Sequence, residues 1–521
     1  MFRTTSRARG AAVAAIVASA LLLAACSGGA SASSTGGKAD TAKLTIGLDS
    51  DQAALGYDPL KYSGGQRMFF EGVYDSLFKT DKDGKIVPDL VKKFTYSPDN
   101  TQLTLELDTS ATFDDGSKLT ADLVKKNLDS RSNTDLTAYT QFAKGGSQEI
   151  SDVTVVDDHT VTLHFAAPQP GFQANLAFPA GVIVGEKGVA DRAGLSSTPD
   201  GSGPLQIDVK SSVKGNTYVE TKKKGNAEAS SYPFDSYVFK VITDGQARAN
   251  AAISGQVDTA FLAPETQQQV TSSGTGLVAN GGVVVNLIPF DKSGALAPQW
   301  GDPNVFTALS VAIDRNAFVK AVHPGQVPTA NVLPKDSPGY LRSLEKDYAY
   351  DAKEAKKLLA DAGYPNGFSF DFVITPSSQR DMEAIQTYWK AIGVNVNLKN
   401  ASSTEEAFAA VQTTPIGGPI PMSWDNPAGN VFGALFGFAN FHKAQNAAIQ
   451  GAAGAVNAAG TDSAKQKDAL TNLNKTIAES GWLIPLYEQL SPWAYNTKKI
   501  AKPTFPGSNS FPVLSSLTPA S

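Results

Sequence analysis

Two Ser-x-x-Lys tetrads, Ser76 to Lys79 and Ser211 to Lys214, match the pattern that sets a serine nucleophile beside its base. Neither is accompanied by the S-D-N or K-T-G elements that complete such a site, and no G-x-S-x-G, H-E-x-x-H, P-loop or G-x-G-x-x-G pattern occurs. The four histidines, His159, His164, His323 and His442, are scattered and none stands at metal-ligand spacing. No enzyme, resident metal or cofactor is therefore expected. The chain does hold the parts of a recognition site. Capturing a zwitterion takes an acid for the ammonium, a base for the carboxylate and aromatic walls for the side chains. Asp425 within Trp424-Asp425-Asn426-Pro427, Arg380 within TPSSQRDM, and the rings of Trp424 and Phe436 supply all three. Each also has a plainer use: an Asx turn before a proline, a surface arginine at a helix start, and core packing.

The amino terminus says where such a site would work. Arg3, Arg7 and Arg9 precede an apolar run from Ala11 to Ala25, broken only by Ser19, which reads as a signal peptide over residues 1–25 and is too short for a permanent span. It ends in Leu23-Ala24-Ala25-Cys26, which resembles the bacterial lipobox, and Cys26 is the only cysteine of the chain. A single thiol bridges nothing within the chain, so lipidation of Cys26 is the expectation. Residues 26–42 then form a Ser/Gly/Ala-rich tether. The expected location is extracytoplasmic, at the outer face of the cell membrane.

Without residues 1–25 the chain carries 42 basic and 50 acidic residues, a net charge of −8 with histidines neutral. That excludes a partner such as nucleic acid, which needs a basic face; the cluster Lys222-Lys223-Lys224 reads as a solvated turn. A length of 521 residues exceeds what one core organises, so at least two lobes are expected.

The elements that must position these residues follow from hydrophobic spacing. Leu44, Ile46 and Leu48 alternate as a strand, and Phe69, Val73, Leu77 and Phe78 have helical spacing over residues 68–78. A hairpin turn is expected at Lys82 to Lys85. Strands are expected at Leu103 to Leu107, at Val153 and Val155, and at Val161 to Phe165, the last two joined by Asp157-Asp158-His159. Thr120 caps a helix bearing Leu123, Val124 and Leu128. Further on, Asp351 and Glu354 open a helix that closes at Gly363, followed by an alternating strand from Phe368 to Ile374. A helix with Met382, Ile385 and Trp389 and a strand with Val394, Val396 and Leu398 complete a strand-helix-strand unit, which favours a parallel pair.

EGVYDSLFKTDKDGKIVPDLVKKFTYSPDNTQLTLELDTSATFDDGSKLTADLVKK from Glu71 resembles the signature region of the bacterial extracellular solute-binding proteins of family 5. The resemblance continues through VVDDHTVTLHFAAPQPGF from Val155, GSGPLQI from Gly201, ISGQVDTAFL from Ile253 and FTALSVAIDRNAFVKAV from Phe306. It extends to YDAKEAKKLLADAGYPNGF from Tyr350, WKAIGVNVNLK from Trp389 and ESGWLIPLY from Glu479. It implies an α/β fold, the two-lobed clamshell of type II periplasmic-binding proteins, in the large peptide-binding form with an extra subdomain. Lobe I would take residues 43–78, 196–283 and 485–521, with 79–195 as its inserted subdomain, and residues 284–484 would form lobe II. Ser50 and Asp51, and Tyr62, Gly64 and Gly65, fall on segments that line the cleft in that family. Asp425 lies where peptide-binding relatives anchor the amine, although the usual aromatic residues and spacer are absent here, and Arg380 lies near their carboxylate-binding arginine. The function implied is that of a monomeric substrate-binding lipoprotein of an ABC importer, holding a short peptide or similar solute and delivering it to permease subunits. An oligosaccharide or chelated metal as ligand, or a lipid-anchored hydrolase, are the alternatives.

Overall fold

The computed structural model describes residues 41–521 except 63, 82–84, 133–148, 402–405, 407–409, 425–426, 461 and 508–509. The expectations for Cys26, the signal segment, residues 26–40 of the tether and Asp425 lie outside the described residues.

The first strand, β1 (Leu44–Leu48), is buried along its whole length because it runs between two parallel partners rather than along a half-exposed surface. Two short strands, β2 (Phe78–Thr80) and β3 (Ile86–Pro88), pair antiparallel, as the expected hairpin requires. Next come β4 (Val91–Tyr96), β5 (Gln102–Leu107), β6 (Ile150–Asp157) and β7 (Thr160–Phe165), an antiparallel sheet of order β4-β5-β7-β6. Leu103, Leu105 and Leu107 share its inner face with Val161, Leu163 and Phe165. The helix Ala121–Asp129 starts where the Thr120 hydroxyl accepts from the Leu123 N–H at 3.1 Å.

The chain then enters its large sheet with β8 (Leu205–Ile207), β9 (Thr217–Lys222), β10 (Ser236–Val241), β11 (Thr259–Phe261) and the long β12 (Gly276–Pro289). It continues through β13 (Val327–Pro328), a separate parallel pair β14 (Ser369–Ile374) and β15 (Asn395–Asn400), then β16 (Ile416–Ser423) and β17 (Ile484–Tyr495). The large sheet has the order β16-β12-β17-β11-β1-β10-β9-β8, with β13 beside β17. The strand-helix-strand unit is as its spacing demands: Phe370, Phe372, Ile374, Met382, Ile385, Trp389 and Val396 are buried together, and the Trp389 indole N–H reaches the Leu309 carbonyl at 2.9 Å.

The helix expected over residues 68–78 is cut short. Only Arg67–Phe70 is helical, and Phe78 already belongs to β2. The carbonyls of Gly72 and Val73, which a longer helix would use internally, accept instead from the N–H groups of Leu205 and Gly203 at 2.7 and 3.0 Å. A Cβ on Gly203 would meet the backbone carbonyl oxygen of Gly72 at 2.5 Å, so this crossing needs glycine there. Phe69, Val73, Leu77 and Phe78 are buried all the same. The lysine cluster at the end of β9 is also more anchored than a free turn, since Lys223 pairs with Asp114 at 2.7 Å.

The apolar side chains sort into separate cores. One gathers residues from Leu44 to Phe239 together with Trp493, Ile500, Leu514 and Leu517, and a smaller one packs Ala249 to Val270 with Ala494. Two others draw all their buried members from Val284 to Tyr487. Among the described residues only β12 and β17 serve both groups. Between their ends the ladder shifts register at Asn280/Val283, and the buried Glu488 carboxylate accepts from the N–H of Gly282 and of Lys335, each at 3.1 Å. Among the described residues no helix is long and apolar enough to cross a membrane.

Candidate functional site

Strands β1, β10 and β11 run parallel and end on one edge of the large sheet, the edge at which α/β proteins hold ligands. Arg248 organises that edge: its guanidinium donates to the carbonyls of Ile242, Thr243 and Phe261, which follow or end these strands. Burial pulls its pKa down, and the neighbouring Asp49, Asp244 and Glu265 oppose that pull.

Facing the end of β11 is the loop that leads into β13. Gln326 fixes this loop to β17, its amide receiving the Leu490 N–H and donating to the Leu490 carbonyl. His323 stacks on Tyr487 at 4.4 Å and meets Asp381 through Nε2 and Oδ1 at 2.6 Å. Between the two sides lies a crevice of 280 Å³, lined by Pro264 and Glu265 on one wall and by Val322, His323, Pro324, Gln326, Ser377, Arg380 and Asp381 on the other. Acids and a guanidinium thus share one recess, which suits a ligand bearing both charges. Among the described residues no group of three His, Cys, Asp or Glu side chains could hold a metal ion.

Of the expected ligand-binding residues that the structure describes, Arg380 opens onto this crevice and none of the others lines it. Asp51 and Tyr62 come together in a different cluster. Asp51 accepts from the Tyr218 hydroxyl at 2.6 Å and from the Ala53 N–H at 3.0 Å. The Tyr62 hydroxyl donates to the Gly56 carbonyl and accepts from the Leu55 N–H, both at 2.7 Å. Burial first, then the Asp51 charge, raises the pKa of Tyr57, while Tyr62 and Tyr218 are raised mainly by burial. Ser50 donates to Asp49 at 3.0 Å, and Gly64 and Gly65 form a short 3₁₀ turn with Gln66.

Trp424 directly follows β16 and lies in the core with Val284, Ile288 and Leu435, and its indole N–H has no hydrogen-bond partner among the described residues. Phe436 packs on Trp482 at 4.5 Å, and Lys292 stands over the Trp482 ring at 4.8 Å while donating to the Ala439 carbonyl at 3.1 Å. Burial brings the Lys292 pKa down to about 7. Sequence reasoning passed over Glu265, His323, Gln326 and Asp381, which come from separate segments; the only local signal was a histidine directly before Pro324-Gly325.

A family model of bacterial extracellular solute-binding proteins, family 5 (middle region), matches residues 85–448. The chain belongs to that family. Its members are binding proteins of transport systems and not enzymes. Among curated relatives, this family 5 chain is 28% identical to the glutathione-binding protein GsiB of Salmonella typhimurium strain LT2 over 344 residues, 64% of this chain and 65% of that protein. The match thus spans somewhat less than two thirds of that relative. In fold the family 5 chain is similar to HbpA2 from Haemophilus parasuis, with a TM-score of 0.73 at 20% identity over 90% of this chain and 99% of that one. It is likewise similar to the periplasmic binding protein DppA from Helicobacter pylori, solved with the peptide STSA, with a TM-score of 0.69 at 18% identity over 92% and 98%. The fold is that of the type II periplasmic-binding proteins.

Proposed function

We propose that this family 5 protein is the substrate-binding component of an ABC importer and captures a short peptide or similar small zwitterion in the crevice between Glu265 and Arg380. The observation that carries this reading is the crevice itself, walled by the end of β11 on one side and by His323, Arg380 and Asp381 on the other. Lobe I then comprises residues 43–78, 196–283 and 485–521 with the insertion 79–195, and lobe II residues 284–484. Among the described residues the paired β12 and β17 are the only strands serving the cores of both, so closure bends at residues 280–283 and 488–491. Arg380 takes the ligand carboxylate through its planar fork, and an acid, Asp425 or Glu265, takes the ammonium. Relatives named for glutathione and solved with a tetrapeptide fit this ligand class.

In the same reading the mature chain is a monomer acylated on Cys26 and held by the tether at the outer face of the cell membrane, beside its permease. Native mass spectrometry of the purified protein should show a carried-over peptide-like mass. Calorimetric titration with di- to tetrapeptides, glutathione included, should give saturable binding that Arg380→Gln weakens. Binding of uncharged oligosaccharides with no affinity for peptides would overturn this reading in favour of a stacking site.

A further inference from the structure

Arg380 brings the guanidinium to the crevice, yet that group makes no hydrogen bond or ion pair among the described residues. Its placing therefore rests on the backbone that carries it, the first turn of the helix Gln379–Ala391. The body of that helix is fixed by Met382, Ile385 and Trp389 in the core. The first turn is held otherwise. Ser378 stands at the capping position but gives the helix no side-chain cap; its hydroxyl accepts from the Thr375 N–H at 3.0 Å and donates to the Thr375 carbonyl at 3.2 Å. Gln379 reaches only along the helix, to Glu383 at 2.8 Å. Among the described residues, Asp381 is the one polar side chain of this turn that bonds to another element, and its partner is His323.

His323 is itself fixed from two sides. It closes the helix Arg315–Val322, where its backbone N–H donates to the Val319 carbonyl at 2.9 Å. Its ring lies 4.4 Å from that of Tyr487 and 5.7 Å from that of Phe318. The other end of the same helix is bound to the same strand, since the buried Arg315 donates through Nε to the Pro485 carbonyl at 2.8 Å. A line of contacts thus runs from β17 through this helix to His323, then to Asp381 and the residue before it. A carboxylate only accepts, so Nε2 of His323 carries the hydrogen of their bond. An exposed binding group needs such support behind it, because an unbraced mount has to be ordered when the ligand arrives.

On the reading that the crevice holds a peptide whose carboxylate goes to Arg380, we propose that His323 is a positioning residue for Arg380. Through Asp381 it fixes the first turn of the helix, and so it sets how strongly the site distinguishes a free carboxylate from an uncharged peptide end.

The probes are a tripeptide with a free terminal carboxylate and the same tripeptide as its terminal amide, titrated calorimetrically into the full mature chain. The quantity read is the ratio of the two affinities, in which any effect on both peptides alike cancels. His323→Phe keeps a ring against Tyr487 and Phe318 but has nothing to donate to Asp381. It should lower the parent's preference for the free carboxylate by about threefold to tenfold. In a chain already carrying Arg380→Gln it should change the ratio no further. If His323→Phe does not fold, Asp381→Ala decides, with the same fall expected. An unchanged ratio in the deciding variant, or a fall that persists in full without Arg380, would overturn the proposal. A ratio that Arg380→Gln itself leaves unchanged, or no binding of either peptide, would overturn the reading of the crevice and this proposal with it.

Discussion

His323 and Asp381 hold each other at 2.6 Å across the wall of the crevice, joining the loop before β13 to the first turn of the helix Gln379–Ala391. The imidazole is also stacked on Tyr487, so the pair ties the crevice wall to β17. Asp381→Ala removes one partner and leaves the other half-buried. The expected cost is about 1–3 kcal/mol in urea unfolding. No loss of stability would mean that the pair does not brace the wall.

Arg380 sits beside that pair but is exposed, and its effect should fall on affinity. Losing a charged hydrogen bond to a ligand carboxylate is worth about 1.5–3 kcal/mol, roughly tenfold to a hundredfold in Kd. Calorimetry on Arg380→Gln with a tripeptide should show that loss with an unchanged melting temperature.

Glu220 gives a pH dependence of definite sign. Burial, reinforced by Glu71, raises its pKa well above the ordinary carboxylate value. The native protein therefore keeps this proton where the unfolded chain, with a pKa of about 4.3, has lost it. Its contribution to stability is complete below about pH 4.3 and declines as pH rises toward the folded value. Glu220→Gln removes the decline. It should raise stability by about 1–3 kcal/mol at pH 8 and change it little at pH 4, read from urea unfolding at the two pH values.

Gly281 tests the crossing between the cores. A Cβ there would lie 2.1 Å from Glu488 Oε1, and the Glu488 carboxylate cannot swing away without losing the N–H groups of Gly282 and Lys335. Gly281→Ala should cost about 1–3 kcal/mol, as overpacking does elsewhere. Unfolding that matches the parent would show that the carboxylate is free to move.

Tyr62→Phe keeps the ring packed against Phe70 but deprives the Leu55 N–H and the Gly56 carbonyl of their partner. A stability loss of about 1–3 kcal/mol is expected in the same assay.

What could be read from sequence was whatever is local. The unit from Phe368 to Leu398 is set by alternation and glycines within one short stretch of chain, and the folded chain repeats its spacing. The helix over 68–78 was over-extended because its end is imposed from afar, by Gly203 and Leu205 taking the carbonyls that would have continued it. Tyr62 shows the same limit: the family resemblance set it on a cleft-lining segment, but no local spacing announced the bonds of its hydroxyl to Leu55 and Gly56. The crevice was least legible. Glu265, His323 and Asp381 stand in segments more than fifty residues apart, and only the parallel ends of β1, β10 and β11 bring the first of them opposite the other two.

The clasp of Gln326 on Leu490 has a mechanical corollary. Next to β13, where the sheet would otherwise gain a further rung from main chain, a single side-chain amide supplies both the donor and the acceptor. Main-chain rungs are common to every residue, but this one can be lengthened, shortened or deleted by a single codon change. A change at Gln326 therefore alters the tie between the loop before β13 and β17 without repacking a core, at a position that also lines the crevice.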